Sequence, residues 1–119
     1  MELNNTMVEV PLHRVAHSRA GDKGNRVNLS LMPYDPVLYP LLAEQVTEER
    51  VLALFRHRGA TRCRRYDLPL IHAFNFIVDD ALEGGVNGAL NLDGHGKSHS
   101  FRLLGMTVRV PAASLPAAG

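Results

Sequence analysis

Two short stretches concentrate the side chains that could hold an anion or move a proton. The first is His17-Ser18-Arg19-Ala20-Gly21-Asp22-Lys23-Gly24-Asn25. Gly21 and Gly24 permit positive φ, so successive backbone N–H groups can converge into an anion-binding nest, with Arg19, Lys23 and Arg26 adding charge around it. His17 sits where a strand would end, a place where a general base or a ligand would be held firmly. A solvated hairpin loop with an Asp/Lys tip explains the same composition without chemistry. The second stretch is Asp93-Gly94-His95-Gly96-Lys97-Ser98-His99. Gly96-Lys97-Ser98 looks like the end of a Walker A loop, but that pattern needs a glycine where Asn91 stands, so a P-loop is excluded. A looser anion site on the freed backbone, with Lys97 as a point charge, stays open. Asp93, His95 and His99 have the donor types of a metal site, although Gly96 argues against the helix that would bring the histidines onto one face. A glycine-rich turn with exposed histidines is the plainer reading, and no metal is expected.

A third concentration is basic: Arg56, His57, Arg58, Arg62, Arg64 and Arg65, five of the 13 Lys+Arg residues within positions 56–65. Such a cluster can grip phosphate. Two of its arginines also complement the negative end of a helix, and the rest suit a charge-protected edge strand. Alternation along 61–67 would place Arg62 and Arg64 on one face and Arg65 on the other. Tyr66 is the nearby ring, and no Lys/Arg-Gly-Phe-type signature occurs, so nucleic acid is not an expected partner. Cys63 lies between arginines that could activate a thiol, but burial as a small apolar residue is the commoner fate. Asn75, between Phe74 and Phe76, reads as a hydrogen-bonded structural amide.

The whole chain bounds these possibilities. Its 119 residues carry 13 Lys+Arg against 12 Asp+Glu, with one cysteine and no tryptophan. That length fits one domain at about 100–200 residues per domain. Hydrophobic residues at 45% and charged residues at 21% exclude wholesale disorder. No apolar run approaches the ~18 residues that cross a bilayer. The opening residues have neither the basic n-region nor the apolar h-region of a secretory signal. A lone Cys63 fits a reducing, cytoplasmic location, and the net charge of +1 steers no partner.

The elements that must position these residues follow from periodicity. Residues 1–11 read as an N-terminal extension, 12–110 as a single domain and 111–119 as a Pro/Ala-rich tail. Leu12 to His17 reads as a strand. Val27, Leu29 and Leu31 alternate with Arg26, Asn28 and Ser30 as a half-buried strand, and 18–25 reads as the long loop of a hairpin between them. Val37 to Gln45 is a short helix. Thr47 caps a helix over 47–58, with Glu48 and Glu49 in its first turn and Gly59 as its left-handed stop. Residues 61–67 form a strand ended by Leu68-Pro69. Leu70, Phe74, Ile77, Val78, Ala81 and Leu82 recur at helical spacing, which predicts a helix over 70–82 stopped by Gly84-Gly85, with Asp79, Asp80 and Glu83 on its solvated face. Strands are expected at 88–92 and 105–110. These elements make an α+β two-layer sandwich, mainly antiparallel, with helices on one face of the sheet.

Taken together the motifs resemble a known family. His17-Ser18-Arg19-x-Gly21-Asp22-Lys23-Gly24, Tyr39-Pro40-Leu41-Leu42, Val46-Thr47-x-x-Arg50-Val51 and Arg65-Tyr66-Asp67-Leu68-Pro69 occur in that order. Phe74-Asn75-Phe76, Gly84-Gly85-Val86 and Leu92-Asp93-x-His95-Gly96-Lys97-Ser98 follow. The series, over residues 12–108, is similar to the small ferredoxin-like domain of the acyclic terpene utilisation (AtuA-like) family, here as a free-standing chain. The resemblance implies a ferredoxin-like sandwich and a place in the breakdown of branched or terpenoid acids as coenzyme A thioesters. It supplies no catalytic residues. The resulting expectation is an accessory subunit, without a cofactor, that associates with itself and with a large AtuA-like chain to handle an acyl-CoA ligand. Its shared polar site would comprise His17, Arg19, Asp22, Lys23, Asn25, Asp93, His95 and Lys97. Arg19 and Lys23 would pair with the anionic group, and His17 or His95 would move a proton. A small autonomous acyl-CoA hydratase or isomerase is the alternative, and an RNA-binding module a third possibility.

Overall fold

The structure, a computed structural model, describes residues 6–23, 26–81 and 95–115, with the backbone alone at 22, 23 and 95–98. Strand alternation builds its central layer. Along β3 (Arg26–Pro33), Val27, Leu29 and Leu31 are fully buried while Arg26 and Asn28 are exposed. β3 pairs antiparallel with β2 (Ala16–Lys23) on one side and with β5 (Ala73–Asp79) on the other. β4 (Arg62–Leu68) pairs antiparallel with β5, giving a four-stranded sheet of order β2-β3-β5-β4. A second, two-stranded sheet joins β1 (Met7–Pro11) to β6 (Thr107–Pro111). β1 lies within the segment read as an N-terminal extension, and its Val10 belongs to the same core as Val108 and Val110.

The helices cover one side of the larger sheet. α1 (Tyr39–Gln45) and α2 (Glu48–Phe55) follow the β2-β3 hairpin, and α3 (His95–Leu104) follows β5 and packs against β2. Joining the ends of a βαββαβ sandwich and reopening it before its second strand yields this same order, so the sheet is the ferredoxin-like arrangement entered at a different strand. Phe55, Phe74, Phe76, Leu29, Leu31 and Leu103 fill the space between sheet and helices. Burying such side chains is the main stabilising term, about 1.5–3 kcal/mol for each large one.

Local chemistry places the helix ends as expected. Thr47 has extended φ and ψ, and its hydroxyl accepts from the Arg50 N–H at 3.1 Å. After α2 a 3-10 turn, Arg56–Arg58, ends at Gly59 with φ 94°, a conformation that glycine adopts without penalty. Asp35 caps the 3-10 turn Pro36–Leu38 ahead of α1, accepting from the Val37 N–H at 3.1 Å.

Five sequence expectations are corrected. Leu12 to His17 is not one strand: Leu12–Arg14 is a 3-10 turn and β2 begins only at Ala16. The helix expected over 70–82 is not found in its described part, 70–81: Pro69–Ile71 is a 3-10 turn and Ala73–Asp79 is a central strand. Phe74, Phe76 and Val78 alternate inward there, and β-branched and aromatic side chains suit the pleated surface. Ile77 on the other face supplied the extra apolar residue that mimicked a helical stripe. Asp79 and Asp80 are consequently not on a helix face: Asp79 pairs with Arg26 at 2.9 Å, and Asp80, at φ 66°, accepts the Thr61 hydroxyl. The supposed loop 18–25 is mostly strand, with Lys23 already opposite Arg26. The supposed glycine-rich turn at 93–99 is helical from His95 onward, and His99 is buried. The expected strand at 88–92 and the Gly84-Gly85 stop lie outside the described residues.

A polar junction between α1 and α2 fastens the two sheets to the helix layer. The Gln45 side-chain amide donates to the Arg109 carbonyl and accepts from the Arg109 N–H, both at 2.7 Å, so it pairs with β6 as a strand would. Arg50 donates to the carbonyls of Gln45 at 2.9 Å and Thr107 at 2.8 Å. Glu48 accepts the Arg65 N–H of edge strand β4 at 2.7 Å. These contacts occupy backbone groups that an open sheet edge would otherwise offer to another chain.

Candidate functional site

The strand register sorts the candidate side chains onto two faces. On β2, Ala16 is buried and Ala20 half-buried against the core, while His17 and Arg19 are exposed. His17 and Arg19 therefore project from the outer face of the sheet, away from the helices. Across that face the pairing Arg19–Ser30–Asn75–Tyr66 forms one row and Gly21–Asn28–Ile77–Arg64 the next. Four strands spaced at about 4.8 Å put roughly 14 Å between the ends of such a row.

Gly21 lies within β2, and Gly59 is the glycine with positive φ among the described residues, so no nest forms at Gly21. Asp22 and Lys23 are in β2 and His95 and Lys97 are in α3, but their side chains lie outside the described residues. Asn25 and Asp93 lie outside them altogether. α3 packs on β2 from the helix side, opposite to the side on which His17 and Arg19 stand. Among the described residues no three His, Cys, Asp or Glu side chains are grouped as metal ligands.

The His17 ring lies beside Tyr34, with centroids 5.4 Å apart. Tyr34 also lines an open cleft of about 230 Å³ with Arg14, Val15, Asp35, Leu38 and Ser114. Neither Arg14 nor Tyr34 stood out in the sequence. The available signal was Tyr34 set between Pro33 and Pro36, an aromatic held out of any regular element. A larger cleft of about 380 Å³ opens between the helices and β4, lined by Ala43, Thr47, Glu48, Glu49, Arg65 and Asp67.

The basic cluster divides by the same alternation. Arg65 is on the helix side, where its guanidinium donates to Ala43 O at 2.7 Å, Val46 O at 3.0 Å and both Asp67 carboxylate oxygens at 2.7 and 3.3 Å. It also lies 5.2 Å above the Phe74 ring, which stacks on Tyr39 at 4.5 Å. Burial pushes the Tyr39 phenol above its ordinary range, and the Asp67 carboxylate adds to this. Arg58 donates to Ala81 O at 3.3 Å. Arg65 and Arg58 thus hold the fold. Arg62 and Arg64 face outward and, like Arg19, form no side-chain hydrogen bond or ion pair among the described residues. Cys63, between them in sequence, turns inward: burial, with the Glu48 and Asp79 carboxylates adding to it, pushes its thiol up to about 12, which disfavours the nucleophilic thiolate.

A family model for the AtuA ferredoxin-like domain matches residues 10–109. The chain belongs to that family. Comparison with curated proteins and with solved structures gives no match. The AtuA ferredoxin-like domain thus spans β2 through most of β6, and the open sheet face carrying His17 and Arg19 lies wholly within it. No helix among the described residues is long and apolar enough to cross a membrane.

Proposed function

We propose that this AtuA ferredoxin-like domain works as an accessory subunit of a complex acting on acyl-CoA thioesters in branched-acid or terpenoid catabolism, bound to a large AtuA-like chain. One observation carries the choice of accessory subunit over autonomous enzyme. His17 and Arg19 stand on an open sheet face, whereas substrate pockets bury most of a ligand's surface and exclude water from the reacting atoms. A general base on such a face becomes useful once a second surface closes over it. Arg19 is free to meet an anionic group there, and the imidazole of His17 is free to take or give a proton. The acyl-CoA part of the reading draws on the family resemblance.

The test is co-expression with the large AtuA-like chain and co-purification at moderate salt, followed by thioester turnover by each chain and by the pair. The pair is expected to co-purify, and His17→Ala is expected to lower its turnover while leaving the assembly intact. Turnover by the small chain alone would replace this reading with that of an autonomous hydratase or isomerase. Failure to co-purify would end it.

A further inference from the structure

We infer that the outer face of the four-stranded sheet is the surface on which a partner polypeptide docks, and that the partner meets it with an apolar ridge flanked by carboxylates. This rests on the accessory-subunit reading and specifies which surface that subunit uses.

The face has an apolar end and a basic end. At the apolar end Tyr66 and Leu68 turn outward from β4, and the hairpin tip adds Leu70 and Ile71, exposed by 96% and 58%. A solvated hairpin tip is normally polar, because a bare leucine gains nothing from water. Contiguous exposed apolar side chains next to polar ones mark interaction sites. At the basic end Arg62 and Arg64 continue outward along the same strand, while Arg19 stands at the opposite edge of the sheet in the row of Tyr66. Asp79 is the one carboxylate that the described strands turn to this face, and Arg26 already holds it at 2.9 Å. Arg64 is half-buried and its side chain forms no hydrogen bond or ion pair among the described residues, on a guanidinium whose fork suits carboxylates. Tyrosine and arginine around an apolar centre is the composition that concentrates binding energy in protein interfaces.

Charge complementarity selects the occupant. A second copy would bring to these arginines a face whose one carboxylate among the described strands, Asp79, is already held by Arg26. A single-stranded nucleic acid would need rings to stack its bases, and Tyr66 is the one Phe or Tyr side chain that the described strands turn outward. A polypeptide with carboxylates beside an apolar ridge satisfies both ends at once.

The experiment titrates the large AtuA-like chain with this chain as wild type, Arg64→Glu, Leu70→Ser and Arg102→Glu, and records thermal melts of each. Arg102 is exposed on α3, in the helix layer, so its reversal changes net charge equally without touching the sheet face. Arg64→Glu and Leu70→Ser are each expected to weaken binding about tenfold or more, with unchanged melts and with Arg102→Glu binding as wild type does. Wild-type binding that both face variants retain would overturn this inference and leave the accessory reading standing. Absence of wild-type binding would overturn the accessory reading itself. A wild-type homodimer that Arg64→Glu splits, or an oligonucleotide complex that it abolishes, would assign the face to a different occupant and overturn the inference.

Discussion

Arg64 and Arg65 are consecutive residues of one strand, and they belong to two differently built regions. Arg65 enters the junction between α1 and α2, where Gln45, Glu48, Arg50 and Asp67 are all engaged in hydrogen bonds with backbone or with each other's elements. Arg64 enters the outer sheet face, where Arg19 and Arg62 likewise have no partner among the described residues. A composition count treats these arginines as one basic patch. The strand's two-residue period separates them into a structural set and an available set. Saturated guanidiniums cannot be recruited by a ligand without cost to the fold, so only the second set is a candidate for recognition.

Disturbing the two regions in turn tests that separation. The largest contrast concerns Cys63, which shares a strand with the outward arginines but points inward. Moving its thiol from 9.0 to about 12 lowers the thiolate fraction about a thousandfold. Iodoacetamide at pH 8 is therefore expected to label the native protein at the rate of unfolding and the urea-unfolded chain rapidly. Fast native labelling would show that the flanking arginines do reach the thiol. On stability, Arg65→Ala is expected to cost about 2 kcal/mol in urea unfolding, since it orphans the Ala43 and Val46 carbonyls while the half-exposed Asp67 carboxylate turns to water. Arg65→Lys should recover little of that, because an ammonium lacks the fork. Gln45→Ala is expected to cost about 1 kcal/mol by releasing the Arg109 N–H and carbonyl. The smallest effect should come from the other region: Arg62→Ala and Arg64→Ala are each expected to stay within about 0.5 kcal/mol of wild type. A loss at Arg64 as large as that at Arg65 would erase the distinction between the regions.

Much of the scaffold was legible in the sequence because local signals agreed with the tertiary result. Thr47, the glutamates after it and Gly59 bracket α2 and its terminal 3-10 turn, and Val27-Leu29-Leu31 give β3 its buried face. The motifs led to the family. Two of the misread elements failed for opposite reasons. In β5 the outward Ile77 blurred the alternation of Phe74, Phe76 and Val78, because a central strand can be apolar on both faces. In α3 Gly96 masked a helix whose later residues, His99 and Leu103, are buried against the rest of the fold, packing that outweighs the roughly 1 kcal/mol helix penalty of one glycine. For the candidate site, residue types pointed to His17 and Arg19 but not to the face they share. That required the register, which pairs Arg19 with Ser30, Ser30 with Asn75 and Asn75 with Tyr66 across 47 positions of chain between the first and last of these.

The β1-β6 ribbon has a mechanical meaning. Met7 lies opposite Pro111 and Pro11 opposite Thr107, so the outermost residues of the two strands meet at one end of the ladder. A load drawing the two ends of the domain apart would unzip that ladder one residue pair at a time, because its hydrogen bonds run perpendicular to the strands. The four-stranded sheet would carry no load until the ribbon had opened. A tether on a single end would leave the ribbon slack and the sheet face undisturbed.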